Sequence, residues 1–221
     1  MSSIKLIYAY WRERYPVIVF LPFSILIAAA GAAAGGRLPT VREALIGCVL
    51  AYTIVLVFRI GDDLADLNSD RLRHPGRVLV QASNVTPIIV LASMIAAGDI
   101  LLMLRQPQPV ARVVVFFAIS LFLALWYHWR ARLRAGPLAS AHVVLIKYPV
   151  IALLTCVRWD ELSQHTALPA FGTIYLGLCI YEQVHDSMVR ESYGAKKIFV
   201  AEVVLLAGLP LLMLSIGGFL R

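Results

Sequence analysis

The stretch ALIGCVLAYTIVLVFRIGDDLADLNSDRLRHPGR, Ala44 to Arg77, carries an apolar run straight into an acidic array. A run of this length and composition reads as a helix that crosses a bilayer. Four carboxylates, Asp62, Asp63, Asp66 and Asp70, then follow with DDxxDxxxD spacing. If the helix simply continues, Asp62, Asp66 and Asp70 recur every four residues and share one face, with Asp63 beside them. Like charges so placed repel, and the array is unfavourable unless cations sit between the carboxylates. Hard oxygen donors suit Mg²⁺, which takes a few carboxylates together with waters and substrate phosphates. Arg71, Arg73 and Arg77 come next and offer forked donors to the outer oxygens of a diphosphate. A solvated capping loop at a membrane surface is the plainer reading, but it gains nothing from four aspartates on one face.

The whole chain supports a membrane setting. Its 221 residues are 60% hydrophobic and 15% charged, with a mean hydropathy of +0.80. Soluble domains run nearer half apolar and a quarter charged. An integral membrane protein in contact with the lipid bilayer is therefore expected. The net charge of +7 is assigned to cytoplasmic loops and anionic substrates, and no nucleic acid partner is expected. Cys48, Cys156 and Cys179 fall in apolar runs without metal spacing and read as small core hydrophobes. The opening MSSIKLIYAYWRERYP is polar and basic-aromatic and does not read as a cleavable leader.

Seven apolar segments, at about 16–36, 44–62, 85–104, 110–129, 137–157, 167–186 and 198–220, predict an all-α bundle of about seven transmembrane helices. They form a single transmembrane domain over 1–221. Lys and Arg concentrate on one side: Lys5, Arg12, Arg14, Arg71, Arg73, Arg77, Arg130, Arg132, Arg134, Arg190, Lys196 and Lys197. That bias places the N-terminus and the aspartate loop in the cytoplasm. Trp11, Tyr15, Trp126, Tyr127, Trp129 and Trp159 sit near helix ends, as interfacial aromatics do.

A second polar cluster closes the sixth segment in YEQVHDSMVRES. Glu182 and Asp186 are four apart, with His185 adjacent and Arg190 one turn on. They read either as a second acidic wall facing the first or as a helix-end cap with an ordinary ion pair. Lys147 lies mid-segment in HVVLIKYPVI, too deep to snorkel easily. A cation at that depth is functional by default, and a diphosphate oxygen is its expected partner. A buried carboxylate is the alternative partner, with Asp99 or Glu202 within the membrane by this reading and nearer the opposite side. Arg14 is placed to reach the same anion. His128 and His142 carry no partner motif and read as structural.

Taken together, the acidic array, the following HPGRVL, and the later WYHWRARLRAG and LIKYPVIAL resemble the UbiA superfamily of intramembrane prenyltransferases. The order of elements matches from Arg14 to about Lys197. The resemblance implies a helical bundle around a central cavity, with two Mg²⁺ bridging both acidic motifs and an isoprenyl diphosphate. Asp62, Asp63, Asp66 and Asp70 would be ligands of the first motif and Glu182 and Asp186 of the second. Arg77 and Lys147 would lie on the diphosphate. The expected reaction is ionisation of the diphosphate and transfer of the prenyl group to an aromatic or other lipophilic acceptor. A UbiA-type terpene cyclase, which needs no acceptor, is the alternative. A non-catalytic transporter with a relict acidic site is a third reading, which retention of all four aspartates disfavours. Two departures stand out. The second motif of the family has three aspartates where this chain has Glu182, Asp186 and Arg190, and the family has nine spans rather than seven.

Overall fold

The computed structural model describes residues 2–36, 38–128, 130–157, 159–162 and 164–219, and side chains within them except those of 130–134, 161, 164 and 210–219. Among these residues all regular structure is helical. A first helix, α1 (Ser3–Arg14), carries Trp11, Arg12 and Arg14 and buries only Leu6 and Tyr10. The chain turns at Pro16, whose fixed φ starts α2 (Val17–Ala34).

Thr40 then opens α3 (Val41–Ala65) with a capping box. Its hydroxyl accepts from the Glu43 backbone N–H, and the Glu43 carboxylate accepts from the Thr40 N–H. α4 (Leu67–Arg73) and α5 (Val78–Gln81) are short. α6 (Thr86–Met103) and α7 (Pro109–His128) are long and apolar. α8 (Arg130–Leu145) is interrupted at Gly136, which adopts a φ of 76°, a conformation glycine takes without penalty. α9 (Lys147–Thr155) continues it, and α10 (Gln164–His185), α11 (Ser187–Arg190) and α12 (Ala195–Phe219) complete the chain.

Among the described residues, five segments are long and apolar enough to cross a membrane: Val17–Ala34, Val41–Ala65, Thr86–Met103, Pro109–His128 and Ala135–Thr155. They coincide with the first five of the seven expected spans. The expected spans at 167–186 and 198–220 fall on α10 and α12, which are not among the five, and the end of the last span lies outside the described residues. Large apolar side chains such as Ile18, Leu26, Met94, Phe117 and Leu121 face outward, as lipid-facing positions require.

α3 is the most buried of the five segments, and it packs against α2, α6 and α9. Ile27, Leu50, Ile54, Leu56, Ile151 and Leu154 form the centre of the core. Close approach there depends on small residues. A Cβ built on Gly31 would fall 2.4 Å from the Ala152 carbonyl oxygen and 2.5 Å from the Thr155 hydroxyl, so α2 and α9 meet backbone to backbone.

Arg112, near the start of α7, is 1% exposed despite its charge. Its guanidinium donates to the carbonyls of Pro107 at 2.8 Å and Leu154 at 2.6 Å, and to those of Cys156 and Val157. A cation on the open carbonyls at the end of α9 satisfies groups that have no helical partner.

Candidate functional site

The helix carrying the aspartates does not run on through them. α3 ends at Ala65, and Asp66 takes φ −90°, ψ 0° between α3 and α4. Asp62, Asp63 and Asp66 still line one cavity, while Asp62, Asp63 and Asp70 each take a different cationic partner. Those cations offset charge that would otherwise repel along the helix.

Asp63 turns inward and is 6% exposed. It accepts from the Tyr10 hydroxyl at 2.9 Å and from Arg14 through Nε at 3.1 Å and a second guanidinium nitrogen at 2.5 Å. Burial opposes the charge on Arg14, but the hydrogen bond and charge of Asp63 outweigh it and hold the guanidinium above its ordinary pKa. Burial, reinforced by Asp63, likewise raises the Tyr10 phenol. Asp62 accepts from Tyr127 and from Lys147. Lys147 is thus paired with a buried carboxylate, and that partner is neither Asp99 nor Glu202. Asp99 instead accepts from the Thr53 hydroxyl at 2.5 Å. Asp70 pairs with Arg77.

Arg14, Arg59, Asp62, Asp63, Asp66, Arg77, Tyr127 and Val144 line one polar cavity of about 250 Å³. It gathers groups from α1, α3, α7 and α8 and from the Asp66 and Arg77 junctions. Three arginines face three aspartates. The sequence reading placed Arg59 at the head of the acidic stretch and assigned it nothing. Its Nε lies 3.5 Å from Asp63, is buried, and has no hydrogen-bond partner among the described residues. Its place four residues before Asp63, and so on one helical face with it, was the available signal. Tyr10 and Tyr127 were missed as carboxylate partners because nothing local links them to positions 63 and 62.

Other expected site residues lie elsewhere. Arg71 is exposed and donates to Asn68 at 3.3 Å. Asp186 caps α11, accepting from the backbone N–H groups of Met188 and Val189. Arg190 donates to the Val184 carbonyl at 3.0 Å and makes no ion pair with Asp186 among the described contacts. The capping reading therefore describes Asp186. Glu182 is half-buried and within electrostatic reach of Asp186, Arg59 and Lys147, so α10 turns this carboxylate toward the first acidic group.

The larger hollow in the molecule is apolar and of about 590 Å³. Ile25, Ala28 and Gly31 of α2, Gly47 and Cys48 of α3, and Thr155 line part of it. It meets α3 about 14 residues before Asp62, or about 20 Å along the helix. The hollow at the acids is polar, and the apolar hollow lies toward the other end of α3.

Compared with protein-family models, with curated proteins and with solved structures, the chain matches none. The functional reading rests on the side chains themselves.

Proposed function

We infer that the polar cavity binds an isoprenyl diphosphate and that the protein is a membrane enzyme transferring the prenyl group to an aromatic or other lipophilic acceptor. The observation that carries this reading is the convergence of Arg14, Arg59 and Arg77 with Asp62, Asp63 and Asp66 around one cavity, with a buried Arg59 Nε that makes no hydrogen bond among the described residues. Forked guanidinium donors match phosphoryl oxygens, and an unsatisfied buried donor is a place where an anion gains a hydrogen bond.

Carboxylate oxygens are the donors Mg²⁺ takes, and three aspartates share the cavity, so the donor set fits that ion. Asp62, Asp66 and Glu182 would hold it. Asp63 is committed to Tyr10 and Arg14, and Asp70 to Arg77, which suits them to orienting cations. When bound, the ion supplies charge neutralisation for a diphosphate leaving group. Arg14, Arg59, Arg77 and Lys147 supply further positive charge at the same point and need no reorganisation to do so. The bond from the allylic carbon to the diphosphate oxygen breaks, and its electron pair stays with the diphosphate held by these cations. The prenyl chain lies along the apolar bundle, where water is scarce, and the acceptor's electrons close the new bond while the proton it displaces passes to the released diphosphate. α10 and α12 complete a seven-span bundle in this reading, with the cavity and the N-terminus on the cytoplasmic side.

The test is detergent-purified protein with Mg²⁺ and geranyl, farnesyl or geranylgeranyl diphosphate, with diphosphate release and products both measured. Release that needs an aromatic acceptor supports transfer. Cyclic hydrocarbons or alcohols formed without acceptor replace it with a terpene cyclase using the same site. Asp66→Asn lowers turnover by about 100-fold, the scale of losing one preorganised electrostatic contact. Unchanged turnover in that variant, or no prenyl diphosphate binding at all, overturns the reading.

A further inference from the structure

Away from the polar cavity, α8, α10 and α12 bring together three groups of different chemistry. A ring nitrogen of His142, the Sγ of Cys179 and a carboxylate oxygen of Glu202 lie within 4.8 Å of one another. Cys179 and Glu202 are buried, at 1% and 5% exposure. On α10, Cys179 lies three and four residues before Glu182 and Gln183, so the cluster sits one turn from the second acidic group, and none of its three residues lines the polar cavity.

We propose that His142, Cys179 and Glu202 form a binding site for a divalent transition metal of the zinc class. The hydrogen bonds orient the ligands. His142 Nδ1 is 2.8 Å from the Leu138 carbonyl, an oxygen that only accepts, so Nδ1 carries the proton and Nε2 points at the cluster. Metal-bound histidines are oriented in this way, the second ring N–H donating to a carbonyl or carboxylate. Nε2 stands 2.6 Å from Glu202 Oε1. One hydrogen bond joins the ring nitrogen to the carboxyl oxygen there, and its hydrogen is what a metal would replace.

The other Glu202 oxygen accepts from Gln183 Nε2 at 2.5 Å, which holds the carboxylate in place. The Cys179 thiol is in hydrogen-bond reach of Glu202 and of Tyr175, whose hydroxyl also donates to the His142 carbonyl at 3.3 Å. Nitrogen, sulfur and oxygen donors in one cluster match Zn²⁺ and its neighbours rather than Mg²⁺, which takes oxygen. Three protein ligands leave one tetrahedral position open. Binding exchanges the proton shared by His142 and Glu202, and the Cys179 thiol proton, for the metal, releasing both to solvent. The ligands then spread to the separations set by bonds of about 2.0–2.3 Å. The His142 side chain is 24% exposed and provides the way in.

The experiment loads detergent-purified protein with Zn²⁺ alone, dialyses it and counts retained metal, with Co²⁺ as a spectroscopic probe. Wild type retains about one zinc per chain, and its cobalt form shows a thiolate-to-cobalt charge-transfer band. Cys179→Ser removes the band, and Glu202→Gln or Cys179→Ser removes the retained zinc. Asp62→Asn, which belongs to the other site, leaves both unchanged. Zinc retention unaltered by Glu202→Gln and Cys179→Ser overturns the proposal. Should those variants fail to fold, the wild-type cobalt spectrum decides: absence of the thiolate band is equally fatal.

Discussion

The ammonium of Lys147 donates to the carboxylate of Asp62 across 85 residues of sequence. The side chains are 3% and 15% exposed, so neither charge has more than slight access to water. This pair ties the start of α9 to the end of α3.

Removing one partner alone strands the other. Lys147→Met is expected to lower stability in detergent by about 3–5 kcal/mol, the range for breaking a buried pair. The double variant Asp62→Asn/Lys147→Met recovers most of that loss without recovering turnover. Thermal unfolding of the two variants beside wild type checks this, and equal destabilisation in the single and double variants would show that the pair is not what holds the helices.

Arg77 bonds Asp70 and also lines the polar cavity. Arg77→Ala is expected to raise KM for the prenyl diphosphate and lower kcat, together by about 100-fold in kcat/KM. Asp70→Asn leaves Arg77 charged and in reach of the substrate, so its effect is smaller. Steady-state kinetics separates the two, and a larger effect from Asp70→Asn would contradict the roles assigned.

Tyr10 donates to Asp63 at 2.9 Å, and burial together with that charge raises its phenol above the ordinary value. In the unfolded chain the phenol ionises at about pH 10. Its contribution is fully present below about pH 10 and is lost as pH rises toward the folded-state value. Tyr10→Phe should destabilise the protein at neutral pH by about 1.5–3 kcal/mol, as for a hydrogen bond to a charged group. It should also flatten the alkaline fall in stability. Unfolding measured from pH 8 to pH 11 reads both effects, and identical alkaline slopes in the two proteins would exclude Tyr10 as the titrating group.

A methyl group at Gly31 meets the Ala152 carbonyl oxygen at 2.4 Å, and backbone does not move aside as a side chain does. Gly31→Ala is expected to cost about 1–3 kcal/mol through forced separation of α2 and α9. Gly61, with nothing within 4 Å of its would-be Cβ, is the control. Gly61→Ala leaves stability unchanged or slightly raised, as thermal unfolding will show.

The five helices of spanning length could be read from the chain because a long apolar run has few other solutions in a bilayer. The DDxxDxxxD array followed by arginines is a local pattern, yet of the three arginines on the polar cavity only Arg77 belongs to it; Arg14 comes from α1 and Arg59 precedes the array. Which cation meets which carboxylate was not legible in the sequence. Tyr10, Tyr127 and Lys147 reach the aspartates from other helices, and helix packing alone decides those distances.

Charge placement shows the same limit. Nothing local marks Arg112 for burial, yet the open carbonyls of Leu154 and Cys156 hold it in the core. His142 carried no motif, and Glu202 was set nearer the opposite side. The two stand 2.6 Å apart, with Glu202 two turns into α12 beside Gln183. Hydropathy and local spacing follow from neighbours in sequence, so the membrane setting and the acidic loop belonged to the chain itself. Pairing between groups 50 to 85 residues apart depends on how helices pack, and so the polar cavity and the His142–Cys179–Glu202 cluster emerged only with the tertiary structure.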